Sequence, residues 1–347
     1  MIYLLSFDWL ALYCTRPHQL EMPLNSANYT AKLAEFNTRH YKHLYYIYKD
    51  KEPIAELQIH PHSKVLDENG CIIKFCNRLL YSVNLFPTID SILQHYNLTP
   101  QNISRLDLAG DFNSFINDYA PEDLIKDFVS QRIRKKGRAV GVVAFRQRSD
   151  GMHYNGLKFG TRESNVCIYL YNKTLELKEV HDKPYIRDSW KAAGLDMSQD
   201  IWRLEVSIKP EGLKIADKDT GEVKNYNYNN IEQCKQEIYN TFVKSLFTFA
   251  VKDNANISRC TVIKLLPTNG ACNRIQLRNV TGSTVVERML IKKLHTISEE
   301  YRYFSELGNI ASIADIHRAE DELCRATDLE EWRKNKLKYW SAIDRKE

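Results

Sequence analysis

Three apolar stretches of this sequence, SRLDLAGD, NVCIYLYNK and IWRLEVSIK, carry polar side chains at every second position. Side chains of a β-strand alternate between its two faces, so the polar positions of each stretch share one face of a predicted strand. The members of these faces that could do chemistry are Arg105, Asp107, Asp111, Tyr169, Tyr171, Lys173, Arg203 and Glu205.

If the three strands are neighbours, these side chains converge. The carboxylates of Asp107, Asp111 and Glu205 would then suit a hard cation such as Mg²⁺ or Mn²⁺, which can bind a phosphate oxygen. The Tyr171 hydroxyl becomes a candidate nucleophile, since a cation and basic neighbours favour its phenolate. A simpler alternative is that each polar face is solvated, with ion pairs between neighbouring strands.

A basic run precedes the stretch that contains Tyr171, and it is suited to phosphate binding. Aromatic residues interleave with it, and these could stack on unpaired bases. The predicted DNA-binding residues are Arg132, Arg134, Lys135, Lys136, Arg138, Arg146, Arg148, Lys158 and Arg162.

The elements that must position these residues are mainly strands. Eight alternating segments, from FDWLALYC to IWRLEVSIK, read as strands within residues 1–209. One helix is predicted over residues 88–97. A second begins near Pro121, carries Ile133 on its apolar face and stops at Gly137. Strands linked at hairpin length and mixed with few helices predict an α+β domain built on an antiparallel sheet.

Composition and pattern suggest two parts. The chain has 347 residues, 43% of them hydrophobic, which is enough for a large core. We expect a catalytic domain over residues 1–209, a polar linker over 210–230 and a mainly helical region over 231–347 for DNA recognition and dimerisation. In that region, positions from Ile231 to Phe249 follow one helical period.

The charge and the apolar segments restrict the class of protein. The formal net charge of +5 suits a nucleic-acid partner without establishing one. The apolar N-terminal stretch is interrupted by Asp8 and is too short for a membrane span, so a cytoplasmic protein is expected. The eight cysteines show no metal-finger spacing and are interpreted as reduced structural thiols.

The same segments resemble the replication-initiation family of plasmids and transposons often called Rep_trans. The matching stretches are RLDLAGD, FGTRESN, LYNK and WRLEVSIK, in family order and at close to family spacing. The resemblance is good over residues 99–209, weak before them and only architectural beyond them.

The resemblance implies a rolling-circle replication initiator, which nicks and rejoins one DNA strand at a specific site. Tyr171 would be the nucleophile, leaving a 5′-phosphotyrosine and a free 3′-hydroxyl, with Arg105, Lys173 and Arg203 beside it. Asp107 and Glu205 would bind the metal, with Asp111 as a third ligand. The resemblance further implies a homodimer and a host helicase as partner.

Several alternatives remain open from the sequence. Tyr169 replaces the arginine that the family usually has, and it competes with Tyr171 as nucleophile. His60 and His62 have the spacing of the metal-binding pair in unrelated nucleases, although Pro61 disfavours a central strand. The same chemistry would serve a relaxase for conjugative transfer. Outside this class, the chain could be a non-catalytic DNA-binding regulator or a carboxylate-pair hydrolase.

Overall fold

We describe the fold from a computed structural model of the chain. It describes residues 3–17, 28–36, 38, 40–62, 67–137, 141–149, 151–161, 164–180, 182–217, 223–269 and 275–277. The strands in these residues are β1 (Leu4–Thr15), β2 (Thr30–Leu33), β3 (Tyr41–Lys49), β4 (Glu52–Pro61), β5 (Gly70–Phe75), β6 (Thr99–Phe112), β7 (Ile133–Lys135), β8 (Gly141–Arg148), β9 (Gly151–Phe159), β10 (Val166–Asn172), β11 (Trp202–Ile208), β12 (Lys214–Asp217), β13 (Val223–Asn225), β14 (Phe249–Val251) and β15 (Ile275–Leu277).

Ten of these strands form one antiparallel sheet in the order β2-β3-β4-β5-β1-β6-β11-β10-β9-β8. The other strands form a three-stranded sheet, β13-β12-β15, and a two-stranded ribbon, β14-β7. Together with the helices, this architecture confirms the predicted α+β class with an antiparallel sheet. The three strands that carry the candidate site residues, β6, β11 and β10, are direct neighbours near the middle of the large sheet.

The helices cover both faces of this sheet. They are α1 (Asn77–Leu80), α2 (Leu85–His95), α3 (Pro121–Val129), α4 (Lys173–Glu179), α5 (Pro184–Ala192) and α6 (Ile231–Leu246). The large hydrophobic cluster joins Leu106 and Leu108 of β6 to side chains of α2, α3 and α6. A smaller cluster joins α4 and α5 through Leu177, Ile186 and Trp190.

The C-terminal limit of this compact unit differs from the predicted domain boundary. The unit comprises Met1–Pro61 and Asn69–Arg278, so it includes residues 210–230 and α6. Helix α6 is part of the core because Tyr239 and Phe242 are buried in the large cluster. Residues 279–347 lie outside the described residues, and the predicted recognition and dimerisation region there stays a prediction.

Two predicted helices end earlier than expected. Helix α3 ends at Val129, and the basic residues assigned to its last turn lie beyond it, with Arg134 and Lys135 on strand β7. Ile133 begins that strand and pairs with Val251 of β14. In the same way α6 ends at Leu246, and Phe249 belongs to β14. In both places pairing between distant segments replaces a locally helical pattern.

Two of the register shifts in the large sheet are β-bulges that bear on the site described next. In β1, Phe7 pairs with Leu108 and Trp9 with Asp107, which leaves Asp8 as the extra residue. In β9, Asn155 is extra, because its neighbours Tyr154 and Gly156 pair with consecutive residues of β8. A bulge re-aims the side chain of its extra residue. Both extra residues are polar, and both lie close to the site described next.

No helix within the described residues is long and apolar enough to cross a membrane.

Candidate active site

The register of the three central strands places the predicted site residues in adjacent rows. Tyr171 of β10 pairs with Arg203 of β11, and Arg203 pairs with Asp111 of β6. In the next row Tyr169 pairs with Glu205. Cross-strand partners point to the same face of a sheet, so these side chains share one surface.

Tyr171 lies at the centre of this surface with its hydroxyl next to a carboxylate. The side chain is 9% exposed, and its Oη donates a hydrogen bond of 3.1 Å to Oε2 of Glu205. Burial, and next the negative charge of Glu205, raises the pKa of the Tyr171 phenol well above its usual value. The phenol is therefore protonated near neutral pH and needs a base to become a nucleophile.

Glu205 has the properties of such a base. Burial, followed by repulsion from Asp8 and Asp107, raises the pKa of Glu205 to about 7. A general base works best when its pKa is near the operating pH and when it lies within hydrogen-bond distance of the proton. Glu205 meets both conditions toward Tyr171.

Arg203, a predicted catalytic residue, is enclosed by other side chains. It is fully buried, and its guanidinium donates to both carboxylate oxygens of Asp111, at 2.6 and 2.7 Å, and to Asp8 at 2.6 Å. It also donates to the hydroxyl of Tyr81 at 2.8 Å. Arg203 thus supplies positive charge from beneath Tyr171 without reaching the surface.

Asp111, a predicted metal ligand, belongs to the same buried group. Its side chain is fully buried, and besides Arg203 it accepts a 2.7 Å hydrogen bond from the indole of Trp190 in α5. With both oxygens engaged by donors, its surroundings are those of a structural ion pair.

Asp8 is a residue of this site that the sequence analysis did not assign. Burial opposes its ionisation, but Arg203, Lys173 and hydrogen bonds from Asn77 and Tyr81 outweigh this effect and hold the pKa of Asp8 well below its usual value. The bulge directs Asp8 to the face of the sheet that carries Arg203. The one sequence signal for it is an acid inside an otherwise apolar stretch, FDWLALYC.

Asp107 lies two rows from Tyr171 on the same face of the sheet, and Arg105 lies in the row after it. Arg105 donates to both oxygens of Asp107, at 3.0 and 2.6 Å, and its guanidinium stacks on Trp9, 4.3 Å from the ring centroid. Asp107 pairs with Ser207 across the strands. Asp107 is therefore close enough to Glu205 to repel its charge. The Asp107 carboxylate itself forms a separate ion pair with Arg105.

Lys173 is next to the tyrosine, as the spacing predicts. Its ammonium is 5.5 Å from the centroid of the Tyr171 ring and forms a 2.5 Å ion pair with Glu176 of α4. Burial first and nearby Arg203 second lower the pKa of Lys173.

The predicted metal site does not form as a set of three ligands. Asp111 is enclosed, Asp107 is paired with Arg105, and only Glu205 contacts Tyr171. Among the described residues, no three His, Cys, Asp or Glu side chains are arranged to hold an ion. Of the three predicted ligands, only Glu205 thus lies in contact with Tyr171, and the cation stays a prediction.

The predicted DNA-binding residues are spread over the β7–β9 region. Arg132 pairs with Asp127, Arg146 pairs with Glu179, and Lys158 is the cross-strand partner of Tyr169. Lys135 lies over the Phe159 ring at 4.9 Å, beside Arg134 and Lys136. Arg138, Arg162 and the side chain of Arg148 lie outside what the structure describes.

The alternative histidine pair lies at a strand end. His60 is in β4, two residues from His62, and its ring contacts the Arg16 guanidinium at 3.1 Å. Neither histidine is on the three strands that carry Tyr171, Arg203 and Asp111.

No family model and no curated protein matches this chain. Among solved structures it is similar to a rolling circle replication initiator protein from Geobacillus stearothermophilus, with 15% sequence identity and a TM-score of 0.46. The similarity covers 77% of this chain and 93% of that one.

Proposed function

We propose that this protein is a DNA strand-nicking enzyme that uses Tyr171 as its nucleophile, in the manner of a rolling-circle replication initiator. The observation that carries the proposal is the hydrogen bond from the Tyr171 hydroxyl to Glu205, on a surface that also contains Lys173. The resemblance of RLDLAGD, LYNK and WRLEVSIK to the initiator motifs supports the same reaction. A relaxase would use the same chemistry on a different origin.

In the proposed reaction the Tyr171 oxygen attacks the phosphorus of one phosphodiester while its proton passes to Glu205. The bond between phosphorus and the 3′ oxygen breaks, and that oxygen takes up a proton to become a free hydroxyl. The 5′ phosphate stays on Tyr171. Lys173 and the buried Arg203 place positive charge near the phosphate as negative charge develops in the transition state.

The route of the DNA strand is proposed along the ribbon formed by β7 and β14. Two pockets of 580 and 470 Å³ flank this ribbon, and neither has an acidic lining residue. Their basic lining residues are Arg134, Lys135, Lys136, Lys244, Lys252 and Lys264. Such a surface suits a phosphate backbone. It supports the sequence prediction that Arg134, Lys135 and Lys136 bind DNA.

The proposal is tested by nicking of fluorescent single-stranded oligonucleotides that tile the DNA around the gene. We expect wild type to form a covalent 5′ adduct, located at Tyr171 by mass spectrometry. Tyr171→Phe should form none, because it lacks the attacking oxygen. Tyr169→Phe is the matched control and should retain the adduct. Adduct formation by Tyr171→Phe but not by Tyr169→Phe would contradict the assignment.

The role of Glu205 is tested in the same assay. Glu205→Gln keeps the size of the side chain but cannot accept the phenol proton, so cleavage should slow by about 10²–10⁴-fold. Loss of a general base should flatten the rise of the rate with pH near neutrality. An unchanged rate in Glu205→Gln would remove Glu205 from the mechanism.

The cation predicted from the sequence, Mg²⁺ or Mn²⁺, would neutralise charge on the phosphate if it binds. The assay therefore includes Mn²⁺ and EDTA arms. We propose metal-dependent cleavage, and full activity in EDTA would contradict it.

A further inference from the structure

A pocket of 420 Å³ opens directly beside Tyr171, and the reaction proposed above does not explain it. Its lining includes Tyr169 and Tyr171 of β10, Asn155 of β9 and Glu176 and Glu179 of α4. The volume is within the range of about 300–1,000 Å³ that small-molecule sites occupy. Because the pocket touches the attacking residue, its occupant would be a part of the DNA next to the cleaved bond.

One wall of this pocket is an aromatic stack. The rings of Tyr169 and Tyr171 lie 4.6 Å apart at an angle of 28°. Gly156 admits the Tyr169 ring, since a Cβ there would lie 2.9 Å from the Tyr169 hydroxyl. Aromatic rings of this kind stack on unpaired bases irrespective of sequence.

A second wall presents a hydrogen-bonding group without a protein partner. Asn155 is the extra residue of the β9 bulge, and within the described structure its buried Oδ1 has no hydrogen-bond partner. A buried polar group without a partner is costly, so such groups in native structures call for an explanation. A ligand that donates a hydrogen bond to Oδ1 would satisfy it.

The charges of the pocket argue against a phosphate as its occupant. Glu176, Glu179 and Glu205 line it, and its one basic residue, Arg146, is paired with Glu179. Carboxylates accept hydrogen bonds from the exocyclic amino groups of bases, as in acid contacts with cytosine N4. The pocket thus combines an aromatic wall with acceptors.

We propose that this pocket binds one unpaired base that carries an exocyclic amino group, next to the phosphodiester that Tyr171 cleaves. Asn155 accepts the hydrogen bond from that amino group, and Tyr169 stacks on the base. The inference rests on the proposed function, in that the DNA strand passes Tyr171. It assigns base selectivity to the bulge of β9, where adenine or cytosine donates a hydrogen bond to Asn155 that thymine, which has no amino group, does not.

The test measures binding without cleavage. The full chain, in EDTA, is titrated against fluorescent hexamers of deoxyadenosine, deoxycytidine and thymidine, with anisotropy as readout. Asn155→Ala should weaken adenine and cytosine binding about fivefold, the value of one hydrogen bond, and leave thymidine binding unchanged. Tyr169→Leu should weaken all three by about tenfold, because stacking is insensitive to the base.

Asn229→Ala is the control, since Asn229 is an exposed asparagine outside the pocket. It should bind all three oligonucleotides as wild type does. Equal affinities of wild type and Asn155→Ala for every hexamer would overturn the base pocket, even if Tyr171 nicks DNA. Absence of binding to any hexamer by wild type would count against the proposed function as well.

Discussion

Asp111 and Glu205 illustrate how two carboxylates on the same sheet surface can have different roles. Asp111 accepts hydrogen bonds from Arg203 and Trp190 and is fully buried. Glu205 accepts a bond from Tyr171 and lines the open pocket. We therefore interpret Asp111 as a structural residue and Glu205 as a reacting one.

This difference predicts opposite effects of two matched substitutions. Asp111→Asn leaves the buried Arg203 charge without its main partner, and the free energy of unfolding should fall by about 3–5 kcal/mol. Glu205→Gln removes a carboxylate that Asp8 and Asp107 repel, so the stability of the metal-free protein should be kept or increased. Urea denaturation of both variants in EDTA measures the difference.

Equal stability of Asp111→Asn and wild type would show that the ion pair between Arg203 and Asp111 does not stabilise the fold. Stability of Glu205→Gln below that of Asp111→Asn would reverse the two assignments.

The sequence predicted the shared face of Tyr171, Arg203 and Glu205, because alternation along a strand depends only on neighbouring residues. It could not predict which charges are enclosed. Besides Asp111, the partners that enclose Arg203 are Asp8 and Tyr81, and these two are more than 100 positions away. The position of Asp8 further depends on a bulge, which no alternating pattern encodes.

At the scale of elements, the contact between β6 and α6 fixes the sheet behind the site. The ring of Tyr239 in α6 occupies the space where a Cβ of residue 110 would lie, and its hydroxyl donates to the Leu204 carbonyl at 3.1 Å. Gly110 is thus required by a close approach of helix to strand. In the motif RLDLAGD, this glycine stands between Ala109 and Asp111, which lie on the opposite face of the sheet together with Arg203 and Glu205.

Gly110→Ala should therefore lower the free energy of unfolding by about 1–3 kcal/mol, as overpacking of a core does. Thermal and urea denaturation measure the loss. In the double variant with Tyr239→Leu, the smaller side chain should make room, so the two costs should not add. Additive costs in the double variant would contradict a direct clash.

The sequence predicted strands better than helix ends. Strands β6, β10 and β11 include the predicted stretches almost entirely, since their apolar faces alternate without interruption. The pattern from Pro121 to Ile133 suggested one helix, but Ile133 starts β7, whose partner β14 lies more than 100 residues later. Helices α4 and α5, which cover the buried ion pair of Arg203 and Asp111, were not predicted, because their apolar faces are short.

At the scale of the molecule, the compact unit extends to Arg278, well beyond the boundary expected near residue 209. Tyr239, Phe242 and Phe249 are buried in the core together with the sheet. Residues 210–230 therefore belong to the same compact unit, and Leu213, Ile215 and Tyr226 of this segment are buried in its core despite the polar composition around them.

This boundary is tested with two fragments. A chain of residues 1–278 should fold and melt cooperatively at a temperature close to that of the full chain. A chain of residues 1–230 should not, because it lacks the helix that covers Leu106 and Leu108. Circular dichroism and calorimetry report both results. Cooperative melting of the shorter fragment would restore the boundary expected from the sequence.

The order of strands in the large sheet determines when the surface around Tyr171 can first form during synthesis. Strand β11 lies between β6 and β10, and β6 in turn lies between β1 and β11. Contacts of such long sequence separation slow folding, because loop closure must precede the gain from pairing. During synthesis β1 and β6 can pair early, but Asp8 and Asp111 then lack Arg203, which forms ion pairs with both in the folded chain. The hydrogen bond between Tyr171 and Glu205 and the ion pairs of Arg203 can therefore form only after β11 has been synthesised.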